Sequence, residues 1–85
     1  MPKVIVMANL LRYAIVLEPE PDAGGFSVHI PAFPEAHTQG ETIEECLTNA
    51  REVIELCLDV RRDEGEEAPP SDVGAMLVMV DVPAA

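Results

Sequence analysis

One stretch constrains this chain more than any other. Ile43, Cys46, Leu47, Ala50, Val53, Ile54, Cys57 and Leu58 recur at spacings of three, one, three, three, one, three and one. Those intervals draw a single apolar stripe down an α-helix. Thr42 followed by Glu45 reads as a capping box, in which the Thr oxygen accepts from the amide three residues on and the Glu carboxylate answers the Thr amide. At the other end Arg61 and Arg62 complement the negative pole and Gly65 supplies a C′ residue, which gives about six turns. Glu44, Arg51, Glu52, Glu55 and Asp59 take the remaining faces. A helix with one apolar stripe must bury it against a second layer, and the 85 residues leave room for one such core and no appended domain.

The second layer is legible as strands. Tyr13, Ile15 and Leu17 alternate with Ala14, Val16 and Glu18, which predicts a strand with one strongly buried face, stopped by Pro19 and Pro21. Asp22 to Gly25 supply the positive-φ residues of a hairpin, and Phe26, Val28 and Ile30 alternate with Ser27 and His29 in a second strand ended by Pro31. Pro31 to Pro34 is then a turn with an apolar plug, and Glu35 to Gly40 holds a short third strand around Ala36, Thr38 and Gln39. Past a stiff connection containing Pro69 and Pro70, Met76 to Val82 is a nearly continuous apolar run, expected as a last strand that is central or covered on both faces. If it lies beside the first strand, a right-handed crossover through the helix makes that pair parallel. Residues 1–12 are either an N-terminal extension or the start of the first strand, with a short helix over Val4 to Leu11 as the alternative. The expected class is α+β, in the order β-β-(β)-α-β, with one long amphipathic helix packed on a three- to four-stranded sheet.

Charge narrows the function. The sequence has a net charge of −11, and Glu18 to Ala85 carries three arginines against all sixteen acids. A phosphate backbone is repelled by such a surface, and basic partners are favoured. Tyr13, Phe26 and Phe33 are the only aromatic residues, too few to build a stacking platform for single-stranded bases. No apolar run approaches the ~20 residues of a membrane span, so a soluble cytoplasmic protein is expected. Cys46 and Cys57 stand eleven residues apart in the helix, ~16 Å along its axis, beyond the ~7 Å reach of a disulfide. Both point to one face and are expected as buried small hydrophobes.

The string from Tyr13 to Leu58 carries a resemblance. Tyr13 to Pro19, Gly25-Phe-Ser-Val-His-Ile-Pro-Ala-Phe-Pro34, and His37-Thr-Gln-Gly-Glu-Thr-Ile-Glu-Glu-Cys-Leu-Thr-Asn-Ala50 resemble the HicB-type antitoxins of toxin-antitoxin operons over roughly residues 13 to 82. Residues 13–85 are then a single HicB-like domain. The resemblance implies a partial RNase H-like fold, β-β-β-α-β, that binds and silences a small basic RNA-cleaving toxin of the HicA type. It implies no enzyme activity and no cofactor. Many family members carry a helix-turn-helix or ribbon-helix-helix domain beyond the point where this sequence reaches Val82-Pro83, so direct operator binding is not expected of the isolated chain. The family's glycine before the third strand is replaced here by Glu35-Ala36-His37.

Other chemistries are weaker. Glu18, Glu45, Glu52 and Asp81 fall where an RNase H-like order would place two-metal ligands, yet sixteen acids in 85 residues put some on strands and helices by chance. Glu45 is accounted for as a cap. His29 and His37 flank the Pro31 to Pro34 turn and lack a third ligand at metal spacing, so exposed or partner-facing imidazoles are expected. Ser27 and Ser71 have no nucleophile-elbow context. No catalytic, cofactor or metal residue is therefore assigned. The alternatives to an inhibitor are a free-standing interaction module and, last, a metal-dependent nuclease. Open sheet edges, especially a weakly guarded Phe26 to Ile30, and leftover apolar residues Ala14, Val16 and Met79 predict a homodimer or a higher even oligomer.

Overall fold

The computed structural model describes residues 10–72 and 76–84. Its element order is β1 (Val16–Pro19), β2 (Phe26–His29), β3 (His37–Gly40) and α1 (Ile43–Asp63). The three strands form one antiparallel sheet in the order β1-β2-β3, and the helix lies across β3 and β2. This is the expected α+β class. The expectations for residues 1–9 lie outside the described residues.

Local chemistry explains each element. Thr42 is the N-cap and its Oγ1 accepts from the Glu45 amide at 3.1 Å. The return bond differs from expectation: the Glu45 carboxylate accepts from the Glu41 amide at 3.3 Å, one residue before the cap. At the C-terminus the Glu66 N–H reaches Arg61 C=O and the Gly65 N–H reaches Arg62 C=O, with Gly65 at φ +74°, the paired bonds of a Schellman motif. Gly40 closes the angle between sheet and helix, because a Cβ there would lie 2.8 Å from both the amide nitrogen and Sγ of Cys46. Only glycine lets α1 start this close to the strand before it.

The core is small and centred on the helix contact. Val28, Ile30, Phe33, Ala36, Cys46 and Ala50 are buried, and Phe33 is sealed completely. It sits in the expected turn, held by N–H bonds from Phe33 to Ile30 C=O and from Ala36 to Phe33 C=O, both 2.9 Å. Tyr13 meets it edge-on with ring centroids 5.0 Å apart, and the Arg61 guanidinium lies 5.1 Å from its ring centre.

Three expectations are corrected. The first strand pairs only from Val16, and Tyr13, Ile15 and Leu17 are half-buried, because α1 stands over β2 and β3 and does not reach across β1. The second strand is central and guarded on both sides, so the edges are β1 and β3. Residues 76–82 form no strand in this sheet: Met76 to Val80 and Val82 are 66–84% exposed. One helix on one face of the sheet gives two layers, which provide no doubly covered position for such a run. The return toward the first strand does occur just before it. Tyr13 Oη donates to Pro69 C=O at 2.7 Å, and the Asp72 N–H donates to Arg12 C=O at 2.8 Å.

Replacing Phe33 by Ala removes a sealed aromatic side chain and is expected to cost about 3–5 kcal/mol, while Thr42→Ala costs about 1 kcal/mol through the lost cap. Urea unfolding followed by far-UV circular dichroism measures both. Equal effects of the two substitutions would contradict this ranking.

Candidate interaction surface

The helix and the residues just past its end carry nine of the chain's sixteen acids. Glu44, Glu45, Glu52, Glu55 and Asp59 are exposed, and Glu64, Glu66 and Glu67 extend the acidic surface past its end. Arg62 is tied to Asp59 at 3.2 Å and Arg61 to Glu35 at 3.2 Å, so two of the helix's three arginines are already engaged by acids.

A groove of about 290 Å³ opens at the C-terminal end of α1. Leu56, Cys57 and Val60 form its apolar floor, and Glu35, Glu64 and Glu66 stand around it with Arg61. Leu56 is 63% exposed and Val60 52%, so the floor faces solvent. An apolar floor with a carboxylate rim suits a partner that brings a basic side chain with a long aliphatic stem. Sequence reading assigned Arg61 only to the helix pole. Its contact with Glu35 spans 26 residues and had no local pattern to reveal it.

Burial and near neighbours shift three titratable groups in and near this groove. The Glu35 carboxyl is held below its ordinary 4.5, first by a hydrogen bond from its own backbone amide and further by the Arg61 guanidinium. Burial pushes the Cys57 thiol above its ordinary 9.0, with Glu35 adding to the rise and Arg61 opposing it. Burial does the same to Cys46, with Glu45 adding to the rise. Neither thiol is poised as a thiolate.

The other candidates are dispersed. His29 and His37 face each other directly across β2 and β3, as expected if those strands pair, and His29 Nε2 lies 3.8 Å from Glu18 Oε1. Glu45 caps the helix, Glu52 is on its solvent side, and Asp81 belongs to the exposed 76–84 segment. Among the described residues no three His, Cys, Asp or Glu side chains are placed to hold a metal, and no helix is long and apolar enough to cross a membrane.

The fold and this surface define a small acidic α+β domain that displays apolar and carboxylate groups side by side. A family model described as the HicB_like antitoxin of bacterial toxin-antitoxin system matches residues 13–82, and the chain belongs to that family. It is 39% identical over 74 residues to Antitoxin HicB 1 of Photorhabdus laumondii, covering 86% of this chain and 46% of that protein. It is 34% identical to Antitoxin HicB of Escherichia coli K12, again over 86% of this chain and 53% of the relative. A UPF0150 protein of Archaeoglobus fulgidus is 36% identical over 53 residues, 62% of this chain and 75% of its own length. The chain therefore spans about half the length of these named antitoxins.

Two outcomes follow from the titration directions. A depressed carboxyl stabilises the fold above its ordinary pKa and loses that contribution as pH falls through the folded value. Melting temperature should therefore drop on acidification below about 4.5, and Glu35→Gln should flatten part of that drop, read by melting scans from neutral to acid pH. A thiol reagent at neutral pH should label Cys57 slowly and Cys46 only on unfolding. Rapid labelling of both in the native state would contradict their burial.

Proposed function

We propose that this chain is the inhibitory partner of a toxin-antitoxin pair, a cytoplasmic protein that binds and neutralises a small basic RNA-cleaving toxin of the HicA type. The sheet and helix are read as a partial RNase H-like unit, with residues 13–85 forming one domain. Inhibition is by cover and not by catalysis, and it needs no cofactor. The observation that carries this reading is the family match over residues 13–82, joined to a net charge of −11. A protein that grips RNA presents positive potential, and an acidic partner is steered toward it and occupies the same surface. The groove beside Val60 adds apolar contact at the place where carboxylates converge. Self-association into a dimer or a higher even oligomer belongs to the same reading, supported by the exposed apolar residues of the 76–82 segment.

Co-expression with the cognate neighbouring basic reading frame should restore growth, and the two chains should co-elute on a sizing column. Association should slow as salt rises, since charges screen over ~8 Å at physiological ionic strength. Reversing the groove rim with the double substitution Glu64→Lys, Glu66→Lys should slow association on the order of tenfold. Persisting toxicity at equal expression, with no complex eluting, would end the inhibitor reading.

A further inference from the structure

The sheet has two edges, and they are finished differently. Glu20 N–H donates to Gly25 C=O at 3.0 Å, one rung past the Pro19–Phe26 pair, which sets the ladder parity. In an antiparallel ladder hydrogen-bonded pairs alternate, so Val16 and Glu18 bond to β2, while Leu17 and Pro19 turn their backbone groups outward. The same count on the other side turns His37 and Gln39 of β3 outward. There the Gln39 C=O is taken by Asn49 Nδ2 at 2.7 Å, so the helix itself blunts that edge. On β1 the Leu17 N–H and C=O have no strand beside them among the described residues.

The Asn49 bond also orients the helix. Asn49, Leu56 and Val60 share one flank at intervals of seven and four residues, and that flank lies toward β3. Leu47, Ile54 and Leu58 repeat the same intervals on the opposite flank, toward β1. Ile54 and Leu58 are half-buried, Leu47 is 47% exposed, and Leu17 across from them on β1 is half-buried. Apolar side chains left partly exposed on α1 and β1 thus border the open strand edge, an apolar gap that one more strand would cover.

The chain contains a segment that matches it. As a strand, residues 76–82 would place Met76, Val78, Val80 and Val82 on one face and Leu77, Met79 and Asp81 on the other. The all-apolar face suits the gap, and the face carrying Asp81 suits the polar outer side that holds Glu18 and His29. Yet among the described residues this segment is exposed and no strand pairs with the edge, although the Asp72 N–H already donates to Arg12 C=O at the edge's beginning. The geometry points to a second copy of this chain as the occupant: residues 76–82 of each copy add to the β1 edge of the other, in a reciprocal strand exchange. A two-fold pair fills both edges and both gaps with a segment that, among the described residues, is exposed and has the length and pattern of a strand. This inference rests on the self-association reading given above and specifies its contact.

Light scattering of the full chain and hydrogen exchange of the 76–82 amides test it together. The expected result is twice the 9.2 kDa chain mass, with those amides protected. The double substitution Val78→Asp, Val80→Asp should weaken association at least about 100-fold, two buried valines at roughly tenfold each. It should leave the helical circular dichroism intact, because neither side chain packs in its own copy's core. A single variant, Met79→Lys on the Asp81 face, should weaken association far less. A mass near 9.2 kDa for the unmodified chain would overturn both exchange and self-association. A dimer whose 76–82 amides exchange freely, or one that survives the double substitution, would overturn exchange alone. Toxin neutralisation is a separate readout, so loss of the dimer leaves the inhibitor reading to stand or fall by co-expression.

Discussion

The Phe33 ring is the contact on which this small domain depends. It is fully sealed, and its neighbours arrive from distant parts of the chain: Tyr13 from the approach to β1, and Arg61 from the last turn of α1. Tyr13 also reaches Pro69, and Arg61 also holds Glu35. One aromatic plug therefore fastens the entrance to the sheet, the exit from the helix and the connection that follows. Phe33 is one of only six buried hydrophobic residues among those described, so its loss removes a large share of the core. In the turn before β3, Glu35 and Ala36 are both used, one paired to Arg61 and the other in the core.

The acidic surface and the apolar patches have a common origin in the helix. Its stripe is wider than the core it covers, so Leu56 and Val60 spill out on one flank and Ile43 and Leu47 on the other. Carboxylates fill the spaces between. The result is a surface in which apolar side chains lie among negative charges. That combination sets apolar contact area within a field of negative potential, the two features the proposed basic partner would engage.

How much of this was legible depended on the range of the interaction. The helix was readable to within its caps because the 3.6-residue period, Thr42 and Gly65 are local, and even so the Glu45 return bond went to Glu41 instead of Thr42. The hairpin was readable from Gly24 and Gly25, which take positive φ, and the plug from two prolines around Phe33. The 76–82 run showed that those side chains want burial and could not show against what, because hydrophobic pattern encodes burial and not the identity of the cover. Strand order was misjudged at β2 for a related reason: alternation marks a strand without stating its neighbours. Within the candidate surface, the acids were evident in composition, whereas the groove depends on Glu35 and Arg61 meeting across 26 residues.

Asn49 has a consequence beyond the helix it sits on. By occupying the Gln39 carbonyl it makes the two sides of the sheet unequal, one receptive and one partly stoppered. Sheets with two receptive sides grow without limit, each added molecule presenting a fresh template for the next. A sheet with one stoppered side has nowhere to pass the pattern on. Under the proposed strand exchange, self-association would thereby be steered toward finite, closed particles and away from fibrils, a safeguard of direct value to a molecule that carries six exposed large apolar side chains within seven residues.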